Sequence, residues 1–155
     1  MQLKKTADNR EQYARAQNIR IFGLEKSNGE NGESLKNNIL DLFKNKLKIA
    51  MCENNLKNVH RVESKIPVPD KQTAVLVQFA NNNIRSAVFK QLKLLKNSQI
   101  SVREDLTQSR LSLLKAAVKK ITSKSAWCLH GNIFVKCGET VHRVNDSSHL
   151  DKLKA

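Results

Sequence analysis

Apolar and polar residues alternate from Asn18 to Leu24 (NIRIFGL), with Ile19 and Ile21 in one set and Arg20 and Phe22 in the other. That period of two predicts a strand, closed by Gly23. A loop rich in Asn and Gly follows (SNGENGE). From Ser34 the period changes: Leu35, Ile39, Leu42, Phe43 and Leu47 recur at spacings of 4, 3, 1 and 4. This is one face of a helix of about four turns. VHRV at Val59 to Val62 predicts a short second strand, and Pro67 and Pro69 keep the segment beyond it out of helix and central strand. Thr73 to Ala80 (TAVLVQFA) is the clearest strand, with Val75, Val77 and Phe79 on one face and Leu76 on the other. Asn81 to Asn83 offer capping side chains to a helix marked by Ile84, Val88, Leu92 and Leu95, and a fourth strand begins at Ile100 to Val102. The order β-α-β-β-α-β is the split βαβ arrangement, in which two helices cover one face of a four-stranded antiparallel sheet. The other face is left open.

A second pattern begins at Thr107, a helix cap ahead of Leu111, Leu114, Val118 and Ile121 at spacings of 3, 4 and 3. WCLHGNIFVKC then predicts a hairpin turning at Gly131-Asn132, followed by a strand at Val141 to Val144 and a short closing helix within Asp146 to Lys154. VHRV occurs twice, at Val59 to Val62 and at Val141 to Val144, too short a match to indicate duplication. Residues 1 to 17 are polar, with Leu3 and Tyr13 as the large apolar side chains. They fit either a frayed helical lead-in or the tail of a coiled coil, which leaves room for self-association. The expected division is therefore a polar segment 1–17, a domain 18–106 and a small C-terminal domain 107–155. The fold class expected is α+β.

Composition adds a partner. The chain has 155 residues, 39% hydrophobic, enough for a core, and a formal net charge of +14. Between Asn82 and Lys124, ten basic side chains stand against Glu104 and Asp105, a local +8. Charge of one sign at that density repels itself, and its usual use is a polyanion, with nucleic acid ahead of an anionic membrane surface. No apolar run approaches the roughly 18 residues of a membrane span, and residues 1–9 lack a signal-peptide core. Cys52, Cys128 and Cys137 are odd in number and widely spaced, which argues for reduced thiols. An intracellular site, in cytoplasm or nucleus, is the expectation.

The β-α-β-β-α-β order suggests an RNA-recognition-motif (RRM)-like domain, whose central strands normally carry base-stacking aromatics. Here the corresponding segment is QTAVLVQF, with Ala74 and Leu76 at the stacking positions and Arg20 in the first strand. Aromatics are 5% of the chain. Binding should then lean on phosphate charge. NIRIFGL, the helix after it, VHRV, TAVLVQF and above all ISVREDLTQSRLSLLKAA resemble the first-open-reading-frame protein of LINE-type retrotransposons. The last stretch together with WCLHGNIFVKCGETVHRV is also similar to the C-terminal domain of baculoviral few-polyhedra (FP) proteins. The resemblance covers roughly residues 17 to 153. It implies a noncanonical RRM-like domain followed by a small α/β domain, single-stranded RNA and also single-stranded DNA held in a basic cleft, and nucleic-acid chaperone activity. Carried over, it points to Arg20, Arg61 and Arg103 on strands, to Arg110, Lys115 and Lys119 on the third helix, and to Arg143 in the second VHRV. Arg61 and Arg103, each within an apolar strand, are expected to project from the open face. The alternative is a viral-type structural or protein-interaction module.

Cys128, His130, Cys137 and His142 form C-x-H-x6-C-x4-H, which lacks the close C-x2-4-C pair of structural zinc sites. Buried thiols and surface histidines are the preferred reading, with no metal and no cofactor. Trp127, the one tryptophan, is read as a core anchor for the hairpin, with base stacking as the alternative. No nucleophile with a partner, paired acids in an apolar setting or phosphate-cradling Gly loop marks a catalytic site.

Overall fold

The structure, a computed structural model, describes residues 2–62, 73–121 and 125–153. Its elements run α1 (Gln2–Ala14), β1 (Asn18–Phe22), α2 (Gly32–Lys46), β2 (Leu56–Arg61), β3 (Val75–Phe79), α3 (Asn82–Lys90) and β4 (Ser101–Glu104). They continue with α4 (Gln108–Lys120), β5 (Ala126–Leu129), β6 (Asn132–Cys137), β7 (Thr140–Val144) and α5 (Ser147–Asp151). The fold is α+β, with one four-stranded antiparallel sheet and one three-stranded sheet. The prolines at 67 and 69 and Lys124 lie outside the described residues.

Two compact units divide the chain: residues 17–103, and residues 1–16 together with 104–155. The expected boundaries at 17/18 and 106/107 therefore shift, and the N-terminal segment joins the C-terminal unit. Hydrogen bonds give the reason. Gln12 donates to the Asp105 carbonyl at 3.0 Å and accepts from the Thr107 amide at 2.9 Å, and Arg15 reaches the Asp105 carboxylate at 3.0 Å. The helix docks by a polar stripe, Asp8, Gln12 and Arg15, while Leu3 and Tyr13 remain exposed. A hydrophobic reading of this segment could not have placed it.

In the four-stranded unit the strand order is β2-β3-β1-β4, as the split βαβ pattern requires. Ile19, Ile21, Val75, Val77 and Phe79 are fully buried on the face that α2 covers with Leu35, Ile39 and Phe43. Asn31 caps α2 by accepting from the Ser34 amide, and Ser34 accepts from the Asn31 amide, so the helix starts two residues ahead of Ser34. The helix expected from Ile84 to Leu95 is instead α3, capped by Asn81, and then a 3-10 turn at Leu92–Leu95. The spacing of three between Leu92 and Leu95 suits that tighter turn. Gly23 has φ +84°, and a Cβ there would meet the Gln99 carbonyl oxygen at 2.1 Å, so only glycine closes β1.

In the other unit, β5, β6 and β7 form a meander whose inner face supplies Ala126, Ile133, Val135 and Val144 to a core shared with Ala117 of α4 and Leu150 of α5. The hairpin turn is His130-Gly131, one residue earlier than expected, with φ of 51° and 79°. Both left-handed residues match the twist-compatible two-residue turn that joins antiparallel strands. Cys128 and Cys137 pack against this core as thiols.

Candidate nucleic-acid interface

The seven basic residues expected to bind separate into two groups by what their guanidinium or ammonium groups touch. Arg61 belongs to the structural group. The register pairs Val59 with Val77 and Arg61 with Val75, so Arg61 lies on the helix-covered side of the sheet and not on the outer face. There it makes two parallel hydrogen bonds to Glu30, both at 3.0 Å, and donates to the carbonyls of Leu24 and Thr73. The Glu30 side chain is 4% exposed, and the hydrogen bonds from Arg61 hold its carboxyl below the usual carboxylate range. Arg61 thus pins the loop before α2 to the end of β2. The expectation that it projects toward a ligand is corrected by its own parity with Val59.

Arg110 is likewise engaged. Its Nε donates to Asp8 at 2.8 Å, one Nη to the Gly131 carbonyl at 2.7 Å and the other to Asn9 at 2.8 Å. Thr107 and Ser109 donate to the same Asp8 carboxylate. Partial burial works against the charged form of Asp8, but these hydrogen bonds prevail and hold its pKa below the ordinary value. Arg110 therefore clasps α1 to the hairpin turn. Arg85, counted in the basic window, is also inward: it is 5% exposed, and its guanidinium sits 4.5 Å from the Phe89 ring centroid.

The second group faces outward. On β1, Arg20 pairs in register with Leu76 of β3, which in turn lies opposite His60 of β2, all on the outer face. Phe22 shares that face and is 37% exposed. Arg103 of β4 is exposed and stands over Phe22, 5.4 Å from its ring centroid. A guanidinium over an exposed ring is a surface that can accept both a phosphate and a base. Lys115 and Lys119 are exposed on α4, and Arg143 is exposed on β7 with its Nη2 donating to Asn132 at 2.9 Å.

Among the aromatics, Phe134 carries no expectation from sequence, and Trp127 carries two, a core anchor first and base stacking as the alternative. Trp127 is 37% exposed and lies outside the apolar core, so it does not anchor the hairpin inward. It stacks across the strands on Phe134, with centroids 6.1 Å apart and ring planes 19° from parallel. A signal was present: Trp127 has the parity of Lys136 and not of Ile133 or Val135 on any two-residue turn at this site. Placing the turn one residue late kept the faces right but slid Trp127 off Phe134.

α1, α4 and the strands β6 and β7 also enclose a pocket of about 730 Å³, lined by Lys4, Lys5, Asp8, Arg110, Arg143 and Asp146 among others. It carries charges of both signs, and Lys5 pairs with Asp146 across it at 3.3 Å. Among the described residues no three His, Cys, Asp or Glu side chains converge as metal ligands, and no helix is long and apolar enough to cross a membrane. No protein-family model and no curated protein matches this chain.

Proposed function

We propose that this protein binds single-stranded RNA, and single-stranded DNA as well, with little sequence preference, acting as a nucleic-acid chaperone or a component of a ribonucleoprotein. The observation that carries the reading is the placement of Arg103 over the exposed ring of Phe22, on the same sheet face as Arg20. The ion pairs support it by what they remove. Asp8, Glu11, Glu30, Glu53, Asp105 and Asp146 all engage arginine or lysine. With 28 basic residues against 14 acidic ones, the surplus falls on exposed positions such as Arg103, Lys115 and Lys119. Such a surface gains affinity by releasing counterions from phosphates, which is insensitive to base identity. The resemblance to the first-open-reading-frame proteins of LINE-type elements agrees with this role.

A salt titration of binding to single-stranded RNA, single-stranded DNA and duplexes tests it. With about five to eight phosphates neutralised, the log–log slope should lie near −3.5 to −6 on single strands. Arg103→Ala should weaken binding to all sequences alike, by a few-fold, and make the slope about 0.7 shallower. Affinity that does not move with salt overturns the reading in favour of an apolar protein-docking surface.

A further inference from the structure

The outer face of the three-stranded sheet is chemically unlike a solvated back. Register places Trp127, Phe134 and Arg143 directly opposite one another on β5, β6 and β7, in one row across the sheet. Side chains alternate along strands, so all three point away from the core that Ile133, Val135 and Val144 complete. Lys136 follows Phe134 on the same face and lies opposite Val141, which is 52% exposed. Leu129, 51% exposed, follows Trp127. Acidic residues are absent from the outward positions of these strands.

We infer that this row is a further nucleic-acid contact, a base-stacking platform in which Trp127 and Phe134 receive one or two unpaired bases and Arg143 and Lys136 hold the adjoining phosphates. The inference rests on the nucleic-acid reading above but on different residues, in the other unit of the chain. A stacked aromatic pair adds little to the stability of a sheet. Burying Trp127 in the core beneath would gain more than that, so its outward position calls for another partner. A protein partner would need a broader apolar patch with charge at its rim. Here cations share the row and the neighbouring position with the rings, which matches a strand that alternates flat bases with anionic phosphates. Stacking also needs no particular base, in keeping with low sequence preference.

Trp127 is the one tryptophan in the chain, so the platform reports on itself. The 155-residue chain is titrated with a single-stranded thymidine oligonucleotide and with an abasic strand of equal length. Binding is followed by anisotropy of an end label, and stacking by intrinsic fluorescence. Quenching should track anisotropy for the base-bearing strand, while the abasic strand should bind more weakly and leave the tryptophan unquenched. Trp127→Ala should weaken the base-bearing strand about tenfold and leave the abasic strand unchanged, with Trp127→Phe recovering most of the loss. Circular dichroism checks that both variants keep the fold. Strand binding with unquenched fluorescence and full affinity in Trp127→Ala overturns the platform while the function stands. Failure of every strand to bind overturns both.

Discussion

The tetrapeptide Val-His-Arg-Val is used twice in this chain, once with Arg61 turned toward the helices and once with Arg143 turned toward solvent. In the first copy Val59 faces Val77 and packs against the core, and its arginine closes on Glu30. In the second, Val141 is half exposed, Val144 is buried at 3%, and the arginine lies outward opposite Phe134. Nothing within the four residues sets this phase. Pairing with Val75 and Val77 sets it in β2, where a bulge near Lys57 lets Leu56 and Val59 both reach the core. In β7 the two-residue turn at Gly138-Glu139, with Cys137 opposite Thr140, sets the opposite phase. A strand's neighbours, more than its composition, decide whether an arginine turns inward as a fastening or outward to solvent.

The comparison is most sharply broken by removing each arginine in turn. Arg61→Ala leaves the Glu30 carboxylate enclosed without its partner and should cost about 3 kcal/mol in urea unfolding. Arg143→Ala should change stability by less than about 0.5 kcal/mol, its effect falling on strand binding instead. Equal losses of stability would mean that the two copies share a face after all. A smaller contrast comes from the valines: Val59→Lys puts a charge against the core and should cost about 2 kcal/mol, whereas Val141→Lys should be nearly neutral.

The smallest effect is one of pH. Glu30 has a lowered pKa in the folded state, so its contribution is fully present above the ordinary carboxylate pKa and fades as pH falls through the lowered value. Urea midpoints measured from neutral pH into the carboxylate range should therefore drop more steeply for the parent than for Arg61→Ala. Parallel curves would show that the pair does not set the acid response.

The elements were legible because their apolar periods are clean: Leu35, Ile39 and Phe43 could only make a helix face, and Val75, Val77 and Phe79 only a strand face. The caps Asn31, Asn81 and Thr107 fell where short polar side chains precede those patterns. α1 was misjudged because it docks through hydrogen bonds from Gln12 and Arg15, which carry no hydrophobic period. The candidate site was half legible. Arg103 and Arg143, to which the resemblance pointed, stand exposed, but pairing of Arg61 with Glu30 spans 31 residues and that of Arg110 with Asp8 spans 102. Such partners are invisible to local pattern. The core-anchor reading of Trp127, to which base stacking was the alternative, ran against the parity that puts it on the face of Lys136.

The clasp of α1 has a consequence for how the chain acquires its structure. Asp8, Gln12 and Arg15 find their partners 90 to 102 residues later, after the whole of the 17–103 unit has been made. On a ribosome the four-stranded unit can close while α1 waits, a short polar helix that is marginal by itself in water. Docking of α1 is then a late, high-contact-order step. A permuted chain that begins at Gln17 and carries residues 1–16 behind a linker after residue 153 would shorten these separations from 90–102 residues to roughly 50–65 plus the linker, and its folding should be the faster of the two.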